Sequence, residues 1–272
     1  ADIGTLRSAR QYAVEVVVWT TGNAAPFNAS AAFRTAVLGE WQGEWLGEFT
    51  QLRGDFALNQ PTNAVASAFA HASGVGCFAL TVNGRPASSA EANASYMDPG
   101  WSNVPTVRML YRQYDVSSLL QDGGNVLGAR LGQCKYGYQG SFCAGAHGST
   151  ATCRAFSMNL VIRYADGSEQ TVLTQSGGGG DGATRWLGTN ELNPIRYTHL
   201  YHGETVDGTI GDRAWDTPEV TPTVGPAAWQ PAQPYPLASQ LGPPSLLTAP
   251  PIAATDALSA VSVTPIGIAP SP

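Results

Sequence analysis

"GCFALTVNGRP", Gly76 to Pro86, is a short run of strand-forming residues closed by an Asn-Gly pair. Asn-Gly supplies the positive φ that a two-residue hairpin turn requires, so the stretch reads as strand, tight turn and return strand. "YADGSE" (Tyr164–Glu169) repeats the device with Asp-Gly. Outward from these turns the chain is a series of short alternating runs bounded by Gly, Asn, Asp and Pro, the pattern of antiparallel sheet. Strands are expected at Tyr12–Thr20, Ala31–Val37, Leu52–Leu58, Ala64–His71, Cys77–Val82 and Met109–Tyr114. Others are expected at Asn125–Leu131, Phe156–Tyr164, Gln170–Thr174, Thr184–Trp186 and Tyr197–Tyr201. "DVSSLLQDGGN" (Asp115–Asn125) reads as an Asp-capped helical turn ended by glycine. The expected fold is all-β with little helix.

The 272 residues are enough for one large or two ordinary domains. No apolar run approaches the roughly 18–20 residues of a membrane span, so none is expected and the chain reads as soluble. Net charge is −6, with 13 Arg and a single Lys, Lys135. Without a basic run to neutralise phosphates, nucleic acid is not an expected partner.

Cys77 stands apart from Cys134, Cys143 and Cys153, which fall within twenty residues of Gly/Ser-rich sequence. They form no C-x-x-C pair, so disulfides fit better than zinc. A bond within the later cluster is expected, with Cys77 taking its remaining member; the connectivity stays open. Two N-glycosylation sequons, Asn28-Ala-Ser and Asn93-Ala-Ser, point with the cysteines to an extracellular or cell-surface protein. From Pro218 on there are thirteen prolines in fifty-five residues and only two charges, Glu219 and Asp256. Such a segment excludes helix and central strand and suits extended or edge structure docked on a surface.

One block is specific enough to carry a family. "GCFALTVNGRP", then "MDPGWSNVPTVRMLYRQYDVSSLLQDGGNVLGARLG" (Met97–Gly132), closely resembles the N-terminal β-sandwich of the family 78 α-L-rhamnosidases. The likeness continues through "LVIRYADGSEQTVLT" (Leu160–Thr174), "NPIRYTHLYHGETVD" (Asn193–Asp207), "AWDTP" (Ala214–Pro218) and "PLASQLGPP" (Pro236–Pro244). It implies an antiparallel, jelly-roll, galactose-binding-like sandwich over residues 39–217, followed by an extended Pro-rich tail over 218–272. Residues 1–38 resemble the last strands of a fibronectin III-like or Ig-like sheet. A two- or three-strand remnant of that kind leaves apolar surface and an edge for something else to complete. In the family, catalysis belongs to a separate α/α barrel, and no residue here matches its catalytic positions. The chain by itself is therefore expected not to be an enzyme.

The densest cluster of chemistry-bearing groups is "YTHLYHGETVD" (Tyr197–Asp207). Glu204 and Asp207 could span the separation of a glycosidase carboxylate pair, but a glycine-flanked turn lacks the burial that raises one pKa. His199 and His202 would face opposite sides of a strand, which argues against a shared metal. No metal or cofactor is expected; the carboxylates read as loop caps and as partners for Arg196 or Arg213. For sugar or partner contact the candidates are Lys135, Tyr136, Tyr138 and Phe142 in "CKYGYQGSFC" (Cys134–Cys143). Trp41, Trp45, Trp101 and Trp215 read as core or junction residues. The functional expectation is a non-catalytic structural subunit whose tail completes a neighbouring copy's open sheet, a head-to-tail homo-oligomer that could be helical or filamentous. The alternative is a carbohydrate-binding accessory module of a secreted α-L-rhamnosidase.

Overall fold

A computed structural model describes residues 6–19, 21–22, 25–37, 41–90, 98–99, 105–136, 153–177, 184–199, 201–211, 214–225 and 228–246. The described residues form an all-β, mostly antiparallel sandwich with only short 3-10 turns for helix. In chain order the strands begin with β1 (Gln11–Val18), β2 (Phe27–Arg34), β3 (Leu46–Gly47), β4 (Gln51–Ala57), β5 (Val65–Val75) and β6 (Cys77–Val82). There follow β7 (Arg85–Pro86), β8 (Met109–Asp115), β9 (Gly124–Gly132), β10 (Ala155–Tyr164), β11 (Glu169–Leu173) and β12 (Arg185–Thr189). Last come β13 (Ile195–His199), β14 (Gly203–Val206), β15 (Gln230–Pro231), β16 (Gln233–Pro234) and β17 (Pro244–Leu246).

Two sheets make the sandwich. The first runs β16-β3-β10-β5-β8-β17, with β11 also on β10; the second runs β15-β12-β4-β9-β6-β7. Alternation assigns one face of each strand to the space between them. Ala68, Ala70 and Ala72 of β5 and Phe156, Met158, Leu160 and Ile162 of β10 meet Leu52, Phe78, Leu80, Leu127 and Trp186 from the other sheet. Small residues on β5 leave room for large ones elsewhere. Phe156 packs edge-on to Phe78 at 5.2 Å and tilted against Trp186 at 6.3 Å, which fixes the spacing of the layers.

The turns follow the local chemistry. Asn83 and Gly84 have φ of 53° and 74°, so the β6–β7 hairpin turns at the Asn-Gly pair. After β8, Asp115 Oδ1 accepts from the Ser117 amide and hydroxyl at 3.1 and 2.7 Å and opens the 3-10 turn Ser117–Leu119. "GETV", which the sequence reads as a turn, is the strand β14, paired with β13 in a separate two-stranded sheet.

The outward face of the first sheet is polar yet buried. His71, Ser73, Ser157 and Asn159 alternate with the core residues, and the linker after β2 lies over them. Trp41 Nε1 donates to Ser157 Oγ at 2.6 Å, the Gly43 amide to Asn159 Oδ1 at 2.7 Å, and the Val37 amide to Tyr111 OH at 2.9 Å. Arg34 stacks 4.0 Å over the Phe69 ring and reaches Asp115 at 3.3 Å. These contacts seat the β1–β2 ribbon, whose register puts Tyr12, Val14, Val16, Val18, Phe27 and Phe33 on one face. Val14, Val16, Val18, Phe27 and Phe33 are exposed.

Part of the Pro-rich tail is docked on its own chain. Residues 230–246 pair with edges of their own chain: β15 with β12, β16 with β3, and β17, parallel, with β8. Proline is tolerated there because an edge strand needs ladder bonds on one side only. Tyr235 and Leu237 are 2% and 0% exposed, buried with Val75, Met109 and Tyr136. The sandwich therefore draws strands from both sides of the composition change at Pro218; residues 247–272 lie outside the described residues.

Two outcomes are expected. Tyr235→Ala should lower unfolding free energy by about 3–5 kcal/mol in urea titration. A solvated linker would give a change within about 0.5 kcal/mol. His71 is fully buried, and burial pushes its imidazole down from 6.5 to about 4, only partly countered by the Asn159 carbonyl. Between those values the unfolded chain binds a proton that the native state does not, so stability falls as pH drops from 6.5 toward 4 and levels off below. The window corresponds to about 3 kcal/mol, and urea unfolding of His71→Gln should lack that slope.

Candidate functional site

The outward face of the second sheet is built differently. Arg53 and Asp55 of β4, Gly128 and Arg130 of β9, and Ala79 and Thr81 of β6 point away from the core, and the register aligns Arg53, Gly128 and Thr81 in one row. Segment 214–218 crosses this face. The Arg53 side chain, 3% exposed, donates from Nη1 to the carbonyls of Trp215 and Thr217 at 2.6 and 3.1 Å and pairs with Asp55 at 2.7 Å. Thr81 Oγ1 donates to Asp216 Oδ2 at 2.6 Å. Gly128 lies directly beneath: a Cβ there would come within 2.7 Å of Asp216 Cβ and 3.0 Å of Trp215 Cη2, so only glycine lets the segment lie flat. Trp215 packs against buried Trp229 at 5.8 Å, with the Arg130 guanidinium 6.0 Å from its ring.

The segment divides three clefts. One of about 370 Å³ is walled by Thr81, Gly84, Arg130, Trp215, Asp216 and Thr217. A larger one, about 670 Å³, opens beside Pro218 and is lined by polar groups including Asp55, Asn59, Asn125 and Gln170. The third, about 470 Å³, lies on the far side of Trp215 among Leu192, Ile210, Val220 and Trp229. A half-buried indole between a charged cleft and an apolar one suits a ligand with both hydroxyls and apolar ring faces.

Of the residues expected from sequence, only some lie among the described residues. Tyr136 is 6% exposed and packs beneath the tail with Tyr235 and Leu237. Lys135 sits in the 3-10 turn Cys134–Tyr136. Tyr138, Phe142, Cys143, Asn93, Trp101 and Arg213 lie outside the described residues. Cys77 is bonded to Cys134, tying the start of β6 to the exit of β9, and Cys153 is also disulfide-bonded. Asn28 is exposed on β2. Trp41 lies at the linker junction against Tyr111, and Trp45 packs on the Tyr136–Tyr235 cluster.

In "YTHLYHGETVD" the hairpin brings the two histidines together. Strand β13 ends at His199, and the turn after it carries the His202 ring to 4.5 Å, edge-on. His199 is buried and its Nδ1 accepts from the Tyr201 amide at 3.1 Å. Asp207 Oδ1 accepts from the Thr209 amide and hydroxyl, which holds its carboxyl below the usual range, and Oδ2 lies 3.7 Å from Arg196. Glu204 is exposed. Among the described residues no group of three or more His, Cys, Asp or Glu could hold a metal ion. Arg53, Thr81, Arg130 and Asp216 carry no sequence signal of their own, and Trp215, within "AWDTP", reads from sequence as a core or junction residue.

The α-L-rhamnosidase N-terminal domain model matches residues 63–254. The chain is 23% identical over 220 residues to an α-L-rhamnosidase of Formosa agariphila, covering 74% of this chain and 21% of that protein. It is 29% identical over 169 residues to one of Streptomyces avermitilis, covering 62% and 14%. The solved α-L-rhamnosidase of Dictyoglumus thermophilum superimposes with a TM-score of 0.66 at 20% identity, over 88% of this chain and 26% of that one. The chain thus spans between about a seventh and a quarter of these proteins.

Removing the arginine under segment 214–218 tests how the face is built. Arg53→Met leaves two carbonyls without their donor and should cost about 3 kcal/mol in urea unfolding, with a red shift of tryptophan emission as Trp215 loosens.

Proposed function

The chain belongs to the α-L-rhamnosidase N-terminal domain family, and from that membership we propose that it is a non-catalytic, carbohydrate-binding accessory module of a secreted α-L-rhamnosidase. The observation that carries the reading is the face built by Arg53 and Gly128, where a fixed indole stands among charged and hydroxyl side chains. The carboxylates of the β13–β14 hairpin do not offer a rival acid and base: Glu204 is exposed and Asp207 is held toward its ionised form by Thr209. The exposed sequon at Asn28 and the disulfides support export. No helix among the described residues is long and apolar enough to cross a membrane.

Residues 230–246 give the self-assembly reading no support, because strands β15 to β17 cover edges of their own sandwich. What remains of it is the exposed apolar face of the ribbon. We assign that face to the final strands of a fibronectin III-like sheet, to be packed by a second sheet rather than by a filament neighbour.

Four measurements test this reading. It should not hydrolyse p-nitrophenyl α-L-rhamnopyranoside above the buffer rate; turnover would remove the non-catalytic assignment. It should be retained on an immobilised rhamnose-containing polysaccharide, and free passage would remove the binding assignment. Expressed through a eukaryotic secretory pathway, it should carry a glycan that Asn28→Gln abolishes; an unmodified Asn28 would count against export. Concentration-dependent oligomers in size-exclusion would restore the assembly reading.

A further inference from the structure

We propose that the cleft of about 370 Å³ between Trp215 and the second sheet is the sugar subsite, and that it takes one terminal pyranose ring. This rests on the carbohydrate-binding reading and adds to it a site and a ligand size.

Size sets the first limit. The volume lies at the low end of ligand pockets, which run from about 300 to 1,000 Å³, so it suits a single ring rather than a stretch of polysaccharide. The walls set the chemistry. Trp215 has Trp229 beside it and is only half-buried, so its ring can offer apolar surface to the C–H face of a pyranose. Asp216 accepts one bond, from Thr81 at Oδ2, and an ionised carboxylate has sites for about four. Arg130, its guanidinium 6.0 Å from the Trp215 ring, supplies donors of opposite charge in the same cleft. A carboxylate that accepts and a guanidinium that donates match a vicinal diol, in which each hydroxyl both donates and accepts.

Preorganisation separates this cleft from its neighbours. The backbone of Trp215 and Thr217 is fixed from below by Arg53, Asp216 is oriented by Thr81, and Gly128 holds the indole against the sheet. Binding therefore spends little on ordering the protein. The cleft of about 670 Å³ has Phe56 as its one aromatic lining residue, and Phe56 is a core residue. The cleft of about 470 Å³ has no basic group among its lining residues.

The test is calorimetric titration of the full chain with methyl α-L-rhamnopyranoside and methyl α-D-mannopyranoside, repeated on Arg130→Gln and Asp216→Asn. Each variant should bind at least about tenfold more weakly than the parent, the usual loss when a charged hydrogen bond is removed. Parent binding that survives undiminished in both variants would place the subsite elsewhere and leave the accessory-module reading standing. A parent that binds neither glycoside nor the immobilised polysaccharide would remove both. Should Asp216→Asn fail to fold, the indole N–H resonance of Trp215, identified by Trp215→Phe, provides the second readout. It should shift on adding the glycoside; a shift confined to other residues would overturn the assignment.

Discussion

Phe156 stands between Phe78 and Trp186, and that contact joins the two layers on which everything else depends. Committing one face of every strand to this core leaves two outer faces and the sheet edges to be covered by other segments. A sheet tolerates an outer face in water, but long bare edges pair with other chains. The irregular parts of the molecule answer that geometry. The linker after β2 covers one outer face, segment 214–218 crosses the other, and the Pro-rich residues 230–246 run along the edges. The linker and segment 214–218 meet polar groups, whereas the tail docks in an apolar cluster with Val75, Met109 and Tyr136.

The two outer faces put this constraint to different uses. Over the first sheet the polar residues are buried and mostly bonded, Ser157 to Trp41 and Asn159 to Gly43, while His71 Nε2 has no hydrogen-bond partner among the described residues. Such a layer is stable only while satisfied, and His71, held neutral within it, is its weak point in acid. Over the second sheet the covering segment is short, and its anchor, Arg53, spends its donors on backbone carbonyls and Asp55. The side chains of Trp215 and Asp216 are thereby displayed beside a cleft instead of being consumed in the packing.

Much of the fold was legible because periodicity and turn chemistry are local. The Asn83-Gly84 turn, the β10–β11 hairpin and the long strands β4, β6, β9 and β10 follow from alternation and from glycine. Strand β5 was read only as far as His71, since His71 and Ser73 break an apolar run; their partners come from segments distant in sequence. The two- and three-residue edge strands are too short for any period, and prolines at 231, 234 and 244 mask them. The site was the least legible part. Tyr136 and Trp215 are both aromatics in loops, and which is buried depends on where the tail docks and on a glycine two strands away. The family resemblance located both loops without ranking them.

The β1–β2 ribbon follows the same logic as the sandwich, one layer short. Its register separates Tyr12, Val14, Val16, Val18, Phe27 and Phe33 from Glu15, Asn28, Ser30 and Arg34 on the opposite face. One face of the ribbon is therefore strongly apolar, while the other mixes polar residues, among them the Asn28 sequon, with Ala13, Val17 and Ala32. Arg34 and the linker fasten the ribbon's base to β5, β8 and β10 through an ion pair, a cation–π contact and three hydrogen bonds. A sheet packed on the ribbon would be held against the sandwich by these same contacts. The buried polar layer thus serves both as a cover for the first sheet and as the attachment of the ribbon to it.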